Sequence, residues 1–333
     1  HCAPDEIIMS FMGSGTAEKG FEPSGAGFVS FDPKTFEIKR RWEAAGTTQF
    51  GYDFWYQPRH NVMVSSEWGH PGCFTKGFDP AHVADGLYGS KLYVWNWAEC
   101  TLKQELDVGA GSIPLEVRFL HDPDKAEGYT GCALSSEMVR FAKGEDGEWV
   151  SKTVIKVEPI PVEEGWALPE MPGLITDFVI SLDDRFLYLS NWLHGDVRQY
   201  NITGSEPKLV GQFFVGGSLK SMGSVKRKDG LAQPEPLIVK GVEIQGGAQM
   251  VQLSLDGKRL YVSTSLFSSW DKQFYPDMAG RGAQLIQLDV DTENGGLSLN
   301  PNFVVDFGAE PDGPVVCHEM RFPGGDCTSD IWI

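Results

Sequence analysis

Apolar residues along this chain fall in short alternating runs separated by turn formers. Residues 174–202, LITDFVISLDDRFLYLSNWLHGDVRQYNI, set the pattern. Ile175–Leu182 reads as a strand, Asp183-Asp184-Arg185 as a turn, Phe186–Asn191 as a second strand. His194-Gly195-Asp196 turns again, and Val197–Ile202 is the third strand. Alternation with tight turns between short runs predicts an antiparallel meander.

The same unit recurs. Ile7–Phe11, Gly27–Asp32 and Ile38–Trp42 precede a unit made of Phe50–Gln57, Val62–Ser66, Lys91–Trp97 and Thr101–Leu106. Asp79-Pro80 predicts the N-cap and first residue of a short helix reaching about Leu87. A third unit comprises Pro114–Leu120, Tyr129–Leu134, Met138–Ala142 and Trp149–Val157. Lys208–Phe214 completes the fourth. After a polar linker, Ser221–Pro236, a fifth follows: Gln249–Leu255, Arg259–Thr264, Ala283–Val290 and Asn302–Phe307. Val316–Phe322 and Asp330–Ile333 are expected to begin a sixth.

Residues repeat as well as pattern. An acid opens the first strand as Asp53, Glu116, Asp177 and Glu319, with Gln249-Met250 breaking the rule. SLDDR (181–185) recurs as SLDGK (254–258). Ser66-Glu67-Trp68, Ser190-Asn191-Trp192 and Ser269-Trp270-Asp271 are read as equivalent ends of second strands. Meanders repeating without helical crossovers predict an all-β protein, a β-propeller over residues 1–333 as a single domain, with about four full blades and two partial ones. Strands lacking partners at both ends lead to the expectation that the chain is part of a longer ring.

Net charge narrows the partners. A charge of −18 argues against nucleic acid, whose phosphates demand a basic surface, and against an anionic membrane face. No apolar run is long enough to span a bilayer. Cys2, Cys73, Cys100, Cys132, Cys317 and Cys327 make no Cys-x-x-Cys pair, so reduced thiols in an intracellular setting are expected. Asn201-Ile202-Thr203 is discounted as a glycosylation acceptor because it falls on a predicted strand. Gly13-Ser14-Gly15 lacks the spacing of a dinucleotide loop, and 289–296 lacks that of a calcium loop.

Several long motifs carry a resemblance. GYDFWYQPRH (51–60), LPEMPGLITD (168–177), SLDDRFLYLSNWLHGD (181–196), SWDKQFYP (269–276) and PGGDCTSDIWI (323–333) resemble the selenium-binding protein/methanethiol oxidase family, closer to its animal-type cytosolic members than to the bacterial ones. The resemblance implies a seven-bladed propeller. It implies a copper-dependent oxidase converting methanethiol, oxygen and water to formaldehyde, hydrogen sulfide and hydrogen peroxide. It further implies selenium bound through a Cys-Ser-Ser-Cys motif that this chain does not contain, a His-His pair likewise absent, and a cytoplasmic protein open to nuclear or weak peripheral membrane association. The alternative is a non-catalytic selenium- or thiol-binding protein with a sensing or intra-Golgi transport adaptor role.

Propeller topology places the starts of first strands and the ends of second strands on one face. Asp53, Asp177, Glu116 and Glu319 are therefore the candidate catalytic acids, able to take a proton from a small thiol or to orient metal ligands. Glu116-x-Arg118 and Glu319-x-Arg321 put an arginine on the same face as the acid, which favours a structural pairing there. Asp53 and Asp177, without such a neighbour, are the expected proton acceptors. Copper prefers imidazole nitrogen. His318, which resembles the family's C-terminal copper-ligand histidine, is the first candidate for a metal ligand. His194 is the second, weighed against a turn histidine bonded to Asp196. With one ligand and no His-His pair, the chain is expected to hold copper weakly or not at all. His60 and His121 are assigned to first turns, His70 and His82 to a solvated insertion, and His1 to a structural position. Trp68, Trp192 and Trp270 are read as blade packing before any pocket role.

Overall fold

A computed structural model describes residues 5–15 and 25–322 of the chain. His1, Cys2, Cys327, the strand expected at Asp330–Ile333 and the motif at 323–333 lie outside the described residues. Two compact units divide the chain, one up to Thr153 and one from Val154.

In the first unit, β1 (Ile7–Phe11), β2 (Gly27–Phe31) and β3 (Ile38–Arg41) form an antiparallel meander. A four-stranded meander follows: β4 (Phe54–Gln57), β5 (Val62–Ser65), β6 (Lys91–Asn96) and β7 (Thr101–Asp107). The next is β8 (Pro114–Phe119), β9 (Glu127–Cys132), β10 (Glu137–Lys143) and β11 (Trp149–Lys156), whose last residues cross into the second unit. Each strand pairs with its sequence neighbour, as tight turns between short strands require.

The insertion after β5 carries two short helices, α1 (Pro71–Phe74) and α2 (Pro80–Ala84). Asp79 caps α2 as expected, its carboxylate accepting from the Ala81 N–H at 2.9 Å, but α2 ends at Ala84, short of Leu87. Helix α1 was not anticipated, and neither was its cap: His70 is buried, its Nδ1 accepting from the Gly72 N–H at 3.0 Å. The solvated reading of His70 is corrected accordingly. Phe28, Trp42, Met63, Tyr93 and Trp95 pack the first meander against the second; Trp55, Val64, Val94, Phe119, Phe141 and others pack the second against the third. Full burial of each large side chain contributes on the order of 1.5–3 kcal/mol.

In the second unit, β12 (Ile160–Glu164) and β13 (Glu170–Met171) precede the meander of β14 (Ile175–Ile180), β15 (Phe186–Asn191), β16 (Asp196–Asn201) and β17 (Lys208–Phe214). The polar linker is not featureless. Its β18 (Lys226–Arg227) pairs with β12, and β19 (Ile238–Val239) pairs with β20 (Val242–Glu243) just beyond it. The last meander is β21 (Val251–Leu253), β22 (Arg259–Ser263), β23 (Gln284–Val290) and β24 (Leu297–Asp306). Val179, Tyr188, Val251, Val262 and Ile286 join the two meanders in one apolar cluster.

Two expectations fail here. Ser269-Trp270-Asp271 is not a strand end but lies inside helix α3 (Ser268–Phe274), followed by α4 (Met278–Arg281). Asp271, in the first turn of α3, reaches back out of the helix, its carboxylate accepting from the Leu266 N–H at 2.9 Å. Val316–Phe322 is not a strand; the segment is held instead by the Ala283 N–H donating to the Val315 carbonyl at 3.0 Å and by contacts to His318.

Candidate functional site

In the first unit two acids converge on one arginine. Asp53 sits just before β4 and Glu116 within β8; Arg118, two residues on, reaches both. Its Nη1 is 3.0 Å from Asp53 Oδ2 and its Nη2 is 3.1 Å from Glu116 Oε2. The expected Glu116–Arg118 pair is therefore present. The expectation that Asp53 has no arginine is corrected: the long guanidinium arm spans from one meander to the next. Arg118 also donates to the Val117 carbonyl and lies 4.8 Å over the Trp55 ring.

Two carboxylates cannot both remain charged cheaply beside one cation in a desolvated site. Burial, then the Glu116 charge, push the Asp53 carboxyl up to about 7, against the pull of Arg118 and of the Val117 N–H. A quarter of the Asp53 side chain remains accessible. Tyr52 donates to Glu116 Oε1 at 3.2 Å and meets Trp68 edge-to-face at 5.4 Å. Trp68 in turn stacks on Phe74 of α1 at 4.0 Å. This is an accessible base beside an aromatic wall.

The acids also have a structural office that repeats. Asp53 Oδ2 accepts from the Val117 N–H, and Asp177 Oδ2 from the Val251 N–H, each at 2.8 Å. Ser66, Ser190 and Ser263, at the ends of the second strands of three of the four-stranded meanders, donate to the Leu115, Gln249 and His318 carbonyls. The third member of the serine series is thus Ser263, not Ser269. Asp177 is buried, and its Oδ1 accepts from the Phe178 N–H at 2.7 Å, so both oxygens are held by backbone. That geometry suits a clasp.

In the second unit His318 is exposed, and its Nδ1 is 3.3 Å from the Ser265 carbonyl. A carbonyl only accepts, so Nδ1 is the donor there, and Nε2 is the nitrogen through which a neutral ring could bind a metal. The Ser265 hydroxyl donates to Asp271 Oδ2 at 2.6 Å. Burial raises the Asp271 carboxyl, while Ser265 and the Leu266 N–H pull it back. Among the described residues no group of three or more His, Cys, Asp or Glu side chains is arranged to hold a metal ion. His318 fits one ligand position; the described residues do not complete a copper site around it.

Glu319 pairs with Arg321 at 2.6 Å on the surface, as the i, i+2 spacing suggested. His194 is enclosed rather than presented: Nε2 lies 3.0 Å from the Met171 carbonyl, and Nδ1 has no hydrogen-bond partner. Burial holds its pKa down. Asp196 turns instead to Asn191, Arg198 and Gln212. His194 is held in place by its packing and by the Met171 carbonyl, and among the described residues no group of three or more potential ligands surrounds it. Trp192 packs edge-to-face on Phe274 and Tyr275, in line with the packing reading of the tryptophans. Free thiols at Cys73, Cys132 and Cys317 are pushed up by burial to about 11, 12 and 11.

An all-β chain of blade-like meanders, linked by serine and carboxylate clasps and carrying an acid pair beside a braced aromatic wall, defines a β-propeller protein. Its likeness to the β-propeller domain of a Myceliophteria thermophila protein (TM-score 0.50, 10% identity, covering 88% of this chain and 68% of that one) supports the fold alone. The family model of the 56 kDa selenium binding proteins (SBP56) matches residues 1–333, and the chain belongs to that family. It is 60% identical over 343 residues to the methanethiol oxidase of Xenopus tropicalis and 57% identical over 339 to that of Homo sapiens. It is 57% identical over 340 residues to selenium-binding protein 2 of Mus musculus. In each case the match covers 100% of this chain and 71% of the relative. The X-ray structure of a hypothetical selenium-binding protein from Sulfolobus tokodaii superposes with a TM-score of 0.84 at 34% identity, covering 100% of this chain and 70% of that one.

Proposed function

We propose that this chain takes part in oxidation of a small thiol by oxygen, of the methanethiol oxidase type. Methanethiol, oxygen and water then yield formaldehyde, hydrogen sulfide and hydrogen peroxide, which balances in atoms. The observation that carries the reading is identity of 57–60% along the whole chain to proteins named methanethiol oxidase.

The first unit supplies a part of that chemistry. A thiol must lose its proton before its sulfur is readily oxidised. Asp53, held near neutrality and partly open to solvent, is matched to accept that proton at ordinary pH. Arg118 then offsets the charge left on the carboxyl pair. Copper, when bound, would supply one-electron exchange with oxygen, and His318 is the described residue suited to ligate it. Because the described residues do not complete that site, no step is assigned to the metal.

The test is release of sulfide and peroxide from methanethiol by the protein, by its D53N variant and by its H318A variant. Release that falls at least tenfold in either variant supports the assignment. Wild-type release matched by both variants removes these residues from the chemistry, and no release by a copper-loaded protein rejects the oxidase reading. A second reading, selenium or thiol binding without turnover, is favoured by the name of the Mus musculus relative; thiol uptake without sulfide would support it.

A further inference from the structure

The repeated turns SLDDR (181–185) and SLDGK (254–258) take no part in the chemistry above, and they meet in space. They close the β14–β15 and β21–β22 hairpins, at the strand ends away from the Ser190 and Ser263 clasps. With Thr292 and Glu293 of the β23–β24 turn they line a cleft of about 300 Å³, floored by the buried Phe186 and Tyr188. Its walls are preformed. Ser181 Oγ donates to Asp183 Oδ1 at 2.6 Å and accepts from the Phe186 N–H at 2.9 Å. Ser254 Oγ donates to Asp256 Oδ1 at 2.5 Å and accepts from the Arg259 N–H at 3.1 Å. Each wall nevertheless turns a leucine outward: Leu182 is 39% exposed and Leu255 65%. A single exposed leucine is ordinary on a surface, but two at equivalent repeat positions around one cavity make an apolar rim.

Charge decides what the rim suits. The carboxylates of Asp183, Asp256 and Glu293 line the cleft against one guanidinium, Arg185. Arg185 is already engaged: it lies 5.0 Å over the Phe186 ring, 3.6 Å from Asp183 Oδ2, and donates to the Glu293 carbonyl at 3.3 Å. Asp256 has Arg259 at 3.5 Å. The exposed Glu293 carboxylate makes no hydrogen bond or ion pair among the described residues. We propose that this cleft docks an extended segment of a partner protein that presents an apolar side chain beside a lysine or arginine. The apolar group rests between Leu182 and Leu255, and the cation meets Glu293. The chain's charge of −18 draws in such a segment and repels an acidic one. Because the leucines stand at the rim, the ligand must reach past the cleft, as a peptide does and a small amine does not. The inference is independent of the oxidase reading.

Calorimetric titration of the whole chain with acetylated, amidated Leu-Arg-Leu-Lys, Ala-Arg-Ala-Lys and Leu-Glu-Leu-Glu peptides at low ionic strength tests it. Leu-Arg-Leu-Lys is expected to bind about tenfold or more tightly than either of the others, and to weaken as salt is added. E293K and the double variant L182S/L255S, all at exposed positions, are each expected to weaken it by about tenfold. E293Q replaces E293K if the latter fails to fold, with the same direction of change. No binding of Leu-Arg-Leu-Lys at millimolar peptide overturns the inference, as does equal binding of the three peptides or an affinity unchanged in either variant. Hexylamine binding as tightly as the peptide would assign the cleft to small amines instead. Wild-type self-association in sedimentation that L182S/L255S abolishes would assign it to a second copy of the chain. Either result overturns the partner-segment reading.

Discussion

The carboxylate of Asp53 accepts a hydrogen bond from the backbone N–H of Val117, 2.8 Å away in the next meander. Asp177 makes the same bond to Val251 at the same distance. The acid at the mouth of a first strand thus caps the neighbouring first strand, and the serine ending the second strand holds the carbonyl two residues earlier. Met250 stands where the acid would be in the last meander, and the stretch that follows it in the series, around His318, keeps the serine contact but forms no strand.

Asp177→Ala should therefore act on folding. It leaves the Phe178 and Val251 N–H groups buried without their acceptor. The expected loss is roughly 3–6 kcal/mol, from two hydrogen bonds to a carboxylate at about 1.5–3 kcal/mol each. Asp177→Asn, which keeps an acceptor, should lose less. Urea unfolding of the two variants checks the order; equal stability to wild type would remove the clasp.

Asp53 sets two pH dependences. Its carboxyl is held near 7 in the folded chain, against about 4 in an unfolded one. Between those values the folded state keeps a proton that the unfolded state has released, so stability falls as pH rises through that window. The slope is at most about 1.4 kcal/mol per pH unit, and D53N should lack it. Unfolding midpoints from pH 4 to 8 show whether it does. Under the oxidase reading, kcat/KM for methanethiol should rise with pH through about 7, as the base loses its proton.

Arg118 is the shared counter-charge, and it is buried. Arg118→Ala strands two acids without a cation and should cost roughly 3–5 kcal/mol near neutral pH. The loss should shrink as pH falls and the acids take up protons. Thermal melts at pH 5 and pH 7.5 would reveal that convergence, and a pH-independent loss would contradict it.

His194 predicts the opposite slope. Burial favours its neutral form, opposed by Asp196 and the Met171 carbonyl and aided by Arg198 and Arg227. With the folded pKa below 6.5, its stabilising share is present above that value and lost as pH falls through it toward the folded pKa. His194→Gln should flatten the fall in melting temperature below pH 6.5.

The thiols give a simpler check. Cys73 and Cys132 are fully buried with pKa values raised to about 11 and 12, so neither is a thiolate at neutral pH. Alkylation of the native protein at pH 7.5, read by mass spectrometry, should leave both unmodified for as long as the fold persists.

Strand order was legible because alternation and turn residues are local properties. Phe186–Asn191 and Lys208–Phe214 match residue for residue, and Asp79 caps its helix from a two-residue signal. The Glu116–Arg118 pair was legible for the same reason, since i and i+2 share a face. What the chain order could not carry was everything joined across 55 or more residues: Arg118 reaching Asp53, Asp177 capping Val251, and Ser263 rather than Ser269 continuing the series. Helix α3 was masked by a tryptophan that mimicked the repeat. Periodicity settles which residues alternate, because side-chain direction is decided by neighbours in sequence. Which carboxylate is pushed toward neutrality and which is tied to backbone depends on the desolvation and donors that distant segments bring, and only packing in three dimensions decides that.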